Sequence, residues 1–385
     1  MNILVVHNLY KHKGGEDSVV ESEVNLLQLN GHNVRLYKRT NTDIDKLSKI
    51  QMFMQTLWST RTTIDIKGLL SSFRPDVIHV HNSFPLVSPS IYWVAYNKNI
   101  PVVQTLHNYR LICPQAMLLR QGKICEDCLG GLPWKGVIRG CYRNSILQSF
   151  ALASMLILHR FLGTWQNKVA RYISLNTFGR DKFISGGLDK DKITVKPNFT
   201  ENVKIESYKR EGYLFVGRLS IEKGINVLAS AFKLLPGVNL TIIGSGELDT
   251  KLNGIDGVKM LGQLPREDLP THMQQAKALI VPSICYETFG QVVIEAFANG
   301  LPVIASNIGV LPDLVKNKKN GLLFKHGNYH DLCDKIQYLE NEFKLLKSME
   351  IEARRSYEMH YTDKINYKLL MKIYNDVTNK SVVKR

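Results

Sequence analysis

The sequence predicts an α/β protein built of two doubly wound parallel-sheet domains. Three observations carry that prediction. Short apolar runs alternate with helix-forming stretches along the whole chain, and glycines and cations follow several of those runs directly. The 385 residues are long for one core and suit two domains of ordinary size. At 44% hydrophobic and 22% charged residues, the composition is that of a globular chain rather than a disordered one.

ILVVH (3–7) reads as a buried parallel-type strand, and a glycine loop through Gly14 and Gly15 leads into the helix VVESEVNLLQLNG. NVRLYKR (33–39), DVIHVHN (76–82) and PVVQTLH (101–107) follow as strands. YISLNTFGRDKFISGG (172–187) and ITVKPN (193–198) finish the first half. The polar segment 199–211 reads as a linker, which predicts domains over 1–200 and 201–362. Strands then recur at YLFVG (213–217), NLTIIG (239–244), VKMLG (258–262), ALIVPS (278–283), PVIAS (302–306) and GLLF (321–324). The ends of such strands, in both halves, are expected to face one cleft: His107, Gly14 and Gly15 from the first, Arg218, the Gly244–Gly246 loop, Glu287 and Gly290 from the second.

The most informative stretch is ETFGQVVIE, 287–295. The strand ALIVPS runs into it and the helix QVVIEAFANG (291–300) runs out, so Glu287 is expected in the loop and Glu295 in the second turn. First-turn N–H groups have no intrahelical partner and carry the positive end of the macrodipole, so they stabilise a phosphate. Carboxylates beside it would repel phosphate but accept hydrogen bonds from hydroxyls. Hydroxyls next to a diphosphate describe a nucleotide-sugar. The plain alternative is a helix with one exposed Glu and one cap residue.

YLFVGRLSIEKG (213–224) sharpens the choice. Arg218 follows the strand, and Lys223 with Gly224 opens the helix INVLASAFKLL (225–235). Two cations at the mouth of one strand–loop–helix unit can clamp a diphosphate, Arg as a planar fork and Lys as a point charge.

Together these segments resemble glycosyltransferase family 4, the retaining enzymes of the GT-B fold. The resemblance extends over VVHNLYKHKGGEDSVVESEVNLLQLNGHNV (5–34), PDVIHVHN (75–82), TLHNYRLICP (105–114), VKPNF (195–199) and IIGSGEL (242–248). It implies that Arg218 and Lys223 bind the donor diphosphate, that Glu287 contacts the transferred sugar and that Glu295 holds the ribose hydroxyls. It further implies that the amides of Phe289 and Gly290 reach sugar and phosphate, that His107 lies against the sugar, and that Gly14 and Gly15 close over the donor. The loop Gly244–Gly246 joins this donor-binding set. The final helical stretch, 363–385, is implied to cross back to the first domain.

The net charge of +16 is uneven: residues 1–200 hold 25 Lys/Arg against 13 Asp/Glu, a net +12. A basic half suits an anionic membrane surface, nucleic acid or a diphosphate-linked acceptor. SILQSFALASMLILHRFLGTW (145–165) is apolar almost all round and follows the basic KGVIRGCYR (135–143). It reads either as an interfacial helix dipping into headgroups or as a buried helix of the first domain. No segment reaches the ~18 uncharged apolar residues of a membrane span. MNILVVHN lacks a basic region and a cleavage site, so a first strand and a cytoplasmic location, peripheral on the inner face of the membrane, are expected.

Cys113, Cys125, Cys128 and Cys141 form a C-x11-C-x2-C-x12-C pattern in a Gly-rich stretch. The C-x2-C pair is a two-ligand bite for zinc, and a long loop needs something to hold it. The expectation is a structural zinc; the alternative is four separate thiols in an ordinary insertion at 113–141. Cys285 and Cys333 read as small buried residues.

The expected function is transfer of a hexose-type sugar from a nucleotide-diphosphate sugar to a hydroxyl acceptor, a lipid-linked oligosaccharide of bacterial surface polysaccharide. Departure of the diphosphate builds negative charge that Arg218, Lys223 and the Gly290 amides would stabilise, so catalysis is expected to need no metal. Asp43-Ile44-Asp45 and Asp189-Lys190-Asp191 spell a metal-binding Asp-x-Asp but read as solvated surface. His107 is expected to position the sugar rather than act as a base. The competing readings are a GT-B epimerase or phosphorylase and, more remotely, a zinc-stabilised nucleic-acid-binding protein; no basic ribbon with interleaved aromatics supports the second.

Overall fold

The computed structural model describes residues 1–11, 14–206 and 208–383, with side chains to 379. Ser207 of the expected linker and the last two residues of the 363–385 stretch lie outside the described residues. The chain divides into two units, 1–117 with 126–197 and 366–385, and 118–125 with 198–365.

The first unit holds a six-stranded sheet of β1 (Asn2–Leu9), β2 (Asn33–Thr40), β3 (Val77–Asn82), β4 (Val102–Leu106), β7 (Arg171–Ser174) and β8 (Ile193–Val195). Their order is β2-β1-β3-β4-β7-β8, and every pairing is parallel. The central strands are buried on both faces, as their continuous apolar runs require. One face packs Ile3, Val5, Val77, Val103 and Ile173 against Val20, Val24 and Leu27 of the helix Gly15–Leu29. Leu370, Ile373, Tyr374 and Val377, from the terminal helix Asp363–Val383, complete that core. The terminal helix therefore belongs to the first unit from residue 366 on.

The second unit holds β9 (Tyr213–Val216), β10 (Leu240–Ile243), β11 (Val258–Met260), β12 (Ala278–Val281), β13 (Val303–Ser306) and β14 (Gly321–Phe324). The order is β11-β10-β9-β12-β13-β14, again all parallel. Strand alternation splits its core in two: Tyr213, Phe215, Ala278 and Ile280 face one layer of helices, and Leu214, Leu279 and Val281 face the other. Prolines trim the expected strands. Pro101 and Pro302 cannot donate to a ladder, so β4 and β13 start one residue later, and Pro282 ends β12.

The insertion at 113–141 is more structured than its composition suggests. It contains a hairpin, β5 (Leu119–Arg120) with β6 (Lys123–Ile124), and a short helix, Trp134–Ile138. The hairpin groups with the second unit, where Ile124 packs on the core. The apolar stretch 145–165 contains the helix Ile146–Phe161, capped by Ser145, which is buried along one face only rather than all round. Leu152, Met155 and Leu156 are buried while Ile146, Leu147 and Phe161 are exposed. Among the described residues no helix is long and apolar enough to cross a membrane.

Candidate functional site

In the second sheet the strand order reverses between β9 and β12, and a doubly wound sheet binds ligands at the carboxyl ends beside such a reversal. The loops after these two strands carry the expected residues. After β9 the chain turns through Arg218 and a short 3-10 helix, Ile221–Lys223, into the helix Ile225–Phe232. Gly224 joins the helices at φ +73°, and a Cβ there would overlap the Pro282 carbonyl oxygen. Only glycine lets the β9 loop lie against the end of β12 this closely.

That approach brings Lys223 to Glu287. Lys223 Nζ donates to Glu287 Oε1 at 2.7 Å, and the Ser283 hydroxyl donates to the same oxygen at 2.6 Å. Burial opposes the charge on Glu287, but the Lys223 ammonium, the Ser283 hydroxyl and Arg218 outweigh it and hold the carboxyl below its ordinary range. Burial likewise opposes the charge of Lys223, and Glu287 reverses the balance upward. Both groups are therefore ionised at neutral pH. Arg218 is different. Its side chain is 74% exposed and donates to Glu222 Oε1 at 3.2 Å.

The helix Gln291–Ala298 starts at Gly290, and Glu295 occupies its second turn as expected. Arg266 Nη2 donates to Glu295 Oε1 at 3.0 Å. Burial raises the Glu295 pKa, and Arg266 and Gln291 only partly offset it. Phe289 is buried with its ring at a steep angle to that of Tyr361, which leaves only its backbone for a ligand. Gly244 and Gly246 serve the packing of loop on loop: a Cβ on Gly244 would overlap the Gly217 carbonyl, and one on Gly246 the Leu219 backbone. Leu219 N–H donates to Ser245 O, which ties the two loops together.

In the first unit His107 follows β4 and is almost fully buried. It does not stand alone. Its Nε2 lies 2.9 Å from Nδ1 of His81 on β3. Gly14 caps the helix Gly15–Leu29, and its N–H donates to Asp17 Oδ2. Asp17 Oδ1 meets His7 Nε2 at 2.7 Å. Next to it, Glu16 accepts from the Tyr10 hydroxyl at 2.9 Å and from Asn108 at 3.5 Å. Burial pushes its pKa up to about 7.

Cys113 is buried, and Cys125, Cys128 and Cys141 are half-buried. Cys125 directly follows the hairpin, and its N–H donates to Leu118 O. Cys285 and Cys333 are buried, as read. The two Asp-x-Asp spellings are surface features: Asp45 pairs with Lys11, Asp43 with Lys46, and Asp189 caps a short 3-10 helix.

Sequence reading misses Ser283, Arg266, Glu16, Glu23 and His81. Ser283 ends the ALIVPS run and reads only as strand. Arg266 lies 29 residues from Glu295, with no local pattern to join them. His81 stands inside a recognised strand, where it reads as packing.

Residues 13–201 match the family model described as Glycosyltransferase Family 4, and residues 199–356 match the one described as Glycosyl transferases group 1. The chain has the two domains of a family 4-like glycosyltransferase. The glycosyltransferase is 25% identical over 358 residues to a 42.6 kDa protein of the cps region of Klebsiella pneumoniae, covering 82% of this chain and 87% of that one. It is 28% identical over 210 residues to the capsular polysaccharide biosynthesis glycosyltransferase CapM of Staphylococcus aureus, covering 51% of this chain and about half of CapM, 54%. Its fold is that of Anabaena HepE solved in complex with UDP and glucose, at TM-score 0.69 and 17% identity over 97% of this chain and 99% of that one. That likeness establishes the GT-B architecture of two parallel-sheet domains.

Proposed function

We propose that this glycosyltransferase moves a hexose-type sugar, with retention of anomeric configuration, from a nucleotide-diphosphate sugar to a hydroxyl of a lipid-linked oligosaccharide in surface-polysaccharide assembly. The observation that carries the reading is the Lys223–Glu287 pair, held at the reversal point of the second sheet with Glu295 one helix turn beyond. Lys223 is charged and partly exposed, so an incoming diphosphate can share its ammonium. Arg218, three-quarters exposed and held only by Glu222, is available as the second cation. The unpaired N–H groups at the start of the helix Gln291–Ala298 add donors without a counter-ion. Glu287 and Glu295 accept from hydroxyls of the sugar and the ribose. Arg266 holds Glu295 until the ribose takes its place.

As the bond to the anomeric carbon lengthens, charge gathers on the departing phosphate, and Lys223, Arg218 and these amides stabilise it more than they stabilise the resting donor. The acceptor hydroxyl attacks from the same face, and the leaving phosphate takes its proton. Protein cations do the neutralising, so the step needs no divalent ion. The thiols of Cys113, Cys125, Cys128 and Cys141 suit a structural zinc by donor type, apart from the chemistry.

Membrane contact is part of the proposal. The helix Ile146–Phe161 leaves Leu147 74% and Phe161 88% exposed, with Arg143 before its start and Arg160 in its last turn. Apolar side chains beside cations suit an anionic lipid surface. Nucleotide-sugars screened by thermal shift, followed by mass spectrometry of products formed with a membrane extract, test the function. A UDP- or GDP-sugar should stabilise the protein and donate to a lipid-linked product. Stabilisation by none, or sugar released without an acceptor, would overturn it.

A further inference from the structure

Behind His107 the first unit buries a chain of polar groups that none of the roles above uses. Glu23, on the helix Gly15–Leu29, is almost fully buried. Its Oε2 accepts from Lys196 Nζ at 2.9 Å, and Lys196 also donates to Asn366 Oδ1 at 3.1 Å. Its Oε1 lies 3.1 Å from His79 Nδ1 and 3.3 Å from His81 Nε2. His79 is anchored further by the Tyr374 hydroxyl at 2.7 Å and by Thr105 Oγ1 at 2.8 Å. His81 then reaches His107, with ring centroids 5.2 Å apart and planes 21° from parallel. Among the described residues, Nδ1 of His107 has no hydrogen-bond partner.

Glu23, His79 and His81 bring ligand atoms within 4.8 Å of one another. A metal ion is the wrong occupant. The Lys196 ammonium already sits at hydrogen-bond distance from the same carboxylate, and a second cation would be repelled at close range in a dry interior.

The tautomers follow from the neighbours. Glu23 Oε1 and His81 Nε2 are both buried with no well-formed hydrogen bond, 3.3 Å from each other. A bare imidazole nitrogen that close to a carboxylate oxygen would set lone pair against lone pair, so His81 carries its proton on Nε2, on the Glu23 side. His81 is neutral, because burial, helped by the neighbouring His79 and His7, pushes its pKa down to about 3 against the pull of Glu23. A neutral His81 protonated on Nε2 can only accept at Nδ1. His107 Nε2 must therefore carry the hydrogen. Burial, with His81, His7 and His79 around it, also keeps His107 neutral against the weaker pull of Glu23. Its Nδ1 is then a lone pair.

We propose that Glu23, acting through the buried His81, fixes His107 in the tautomer that presents an unprotonated Nδ1 to a sugar hydroxyl. The proposal rests on the glycosyltransferase reading for the identity of that hydroxyl, and on the contacts of His81 together with the neutrality that burial imposes for the tautomer. His107 is then a hydrogen-bond acceptor at the sugar, while Glu23 and His81 are positioning residues. Lys196 keeps Glu23 ionised: burial alone would raise its pKa, and Lys196 with His79 and His81 holds it well below the usual carboxylate range.

Two measurements on the full chain test this. Nitrogen-15 NMR of histidine-labelled protein, assigned through single variants, reads each tautomer directly. Wild type should show His81 and His107 both protonated on Nε2. A His107 proton on Nδ1 would overturn the proposal, whatever the enzyme's substrate. Steady-state kinetics with the nucleotide-sugar donor read the role. His81→Asn keeps an acceptor oxygen where Nδ1 stood and should retain kcat within about fivefold, whereas His81→Leu should lose roughly 10–100-fold in kcat with donor KM little changed. Because Glu23→Gln leaves the buried Lys196 without a counter-charge, the pair Glu23→Gln/Lys196→Met is the folded test. It should shift the His107 tautomer toward a mixture and lower kcat about tenfold. Equal losses for Asn and Leu at position 81, or a kcat indifferent to both, would sink the positioning role. Absence of any donor turnover in wild type would instead sink the proposed function and leave the tautomer assignment by NMR standing.

Discussion

The two units use related sheets for opposite electrostatic ends. Numbered within its own unit, the first sheet runs 2-1-3-4-5-6 and the second 3-2-1-4-5-6, so each has a reversal beside its first strand. At the second reversal acidic and basic side chains pair at positions partly open to water: Lys223 with Glu287, Arg266 with Glu295, Arg218 with Glu222. At the first reversal the groups are buried, and the imidazoles of His81 and His107 are kept neutral. A charged ligand can exchange for partners in ion pairs at the rim. It cannot enter a closed polar network. On the proposed function, the second unit takes up the charge of the donor, and the first offers fixed hydrogen-bond geometry through neutral imidazoles.

On that division, the largest effect belongs to the second unit. Lys223→Ala should lower kcat by about 10²–10³, the usual loss when one donor to a developing anion is removed. A loss confined to KM would mean that Lys223 binds donor and transition state equally. Next, Glu287→Ala should mainly reduce turnover, while Glu295→Ala should weaken UDP or GDP binding roughly tenfold, the loss of a hydrogen bond to a charged group. Calorimetry and initial rates on both variants separate the roles, and reversed effects would break the assignment.

A smaller effect tests the first unit. Glu16 titrates near pH 7 in the folded protein, against an ordinary value of 4.5, because burial disfavours its charge. A raised carboxyl pKa contributes stability in full below about pH 4.5 and loses it as pH climbs through 7. Glu16→Gln should accordingly raise Tm by roughly 2–4 °C at pH 8 and leave it nearly unchanged at pH 5. Equal shifts at both pH values would rule out burial as the cause. The smallest effect on turnover is expected from brief EDTA treatment, which should leave activity intact. Loss restored by Mg²⁺ or Mn²⁺ alone would contradict protein-only neutralisation. Elemental analysis should find one zinc per chain, and Cys125→Ser/Cys128→Ser should lose it.

The same contrast explains what the sequence could reveal. Lys223, Arg218, Glu287 and Glu295 of the second site come from two local segments, 217–224 and 287–295, and each segment shows its own strand-to-helix transition. Glu287 in the loop and Glu295 in the second turn are readable from spacing alone. The exchange partner Arg266 is not, because a salt bridge across two loops leaves no periodicity. Gly244 and Gly246 are legible as a turn, while their close approach to the Gly217–Leu219 backbone emerges only in three dimensions. In the first unit the network draws Glu23, His79, His81, His107, Lys196 and Tyr374 from separated points of the chain. Each looks like an isolated polar residue in an apolar run until the sheet forms. The helix Ile146–Phe161 shows a third case. Its composition suggests one environment all round, but burial of Leu152 and Leu156 with exposure of Leu147 and Phe161 gives it two.

Positive charge held at the carboxyl edge of the second sheet receives a diphosphate in the proposed reaction, and everything else in the mechanism depends on it. Isothermal titration of UDP, GDP and the parent nucleosides into wild type and Lys223→Ala, at low and high salt, tests it most directly. One of the two diphosphates should bind wild type at least roughly tenfold more tightly than its nucleoside, with the advantage reduced by salt and by the substitution. Nucleoside and diphosphate binding alike, or a diphosphate affinity that ignores Lys223, would contradict the account.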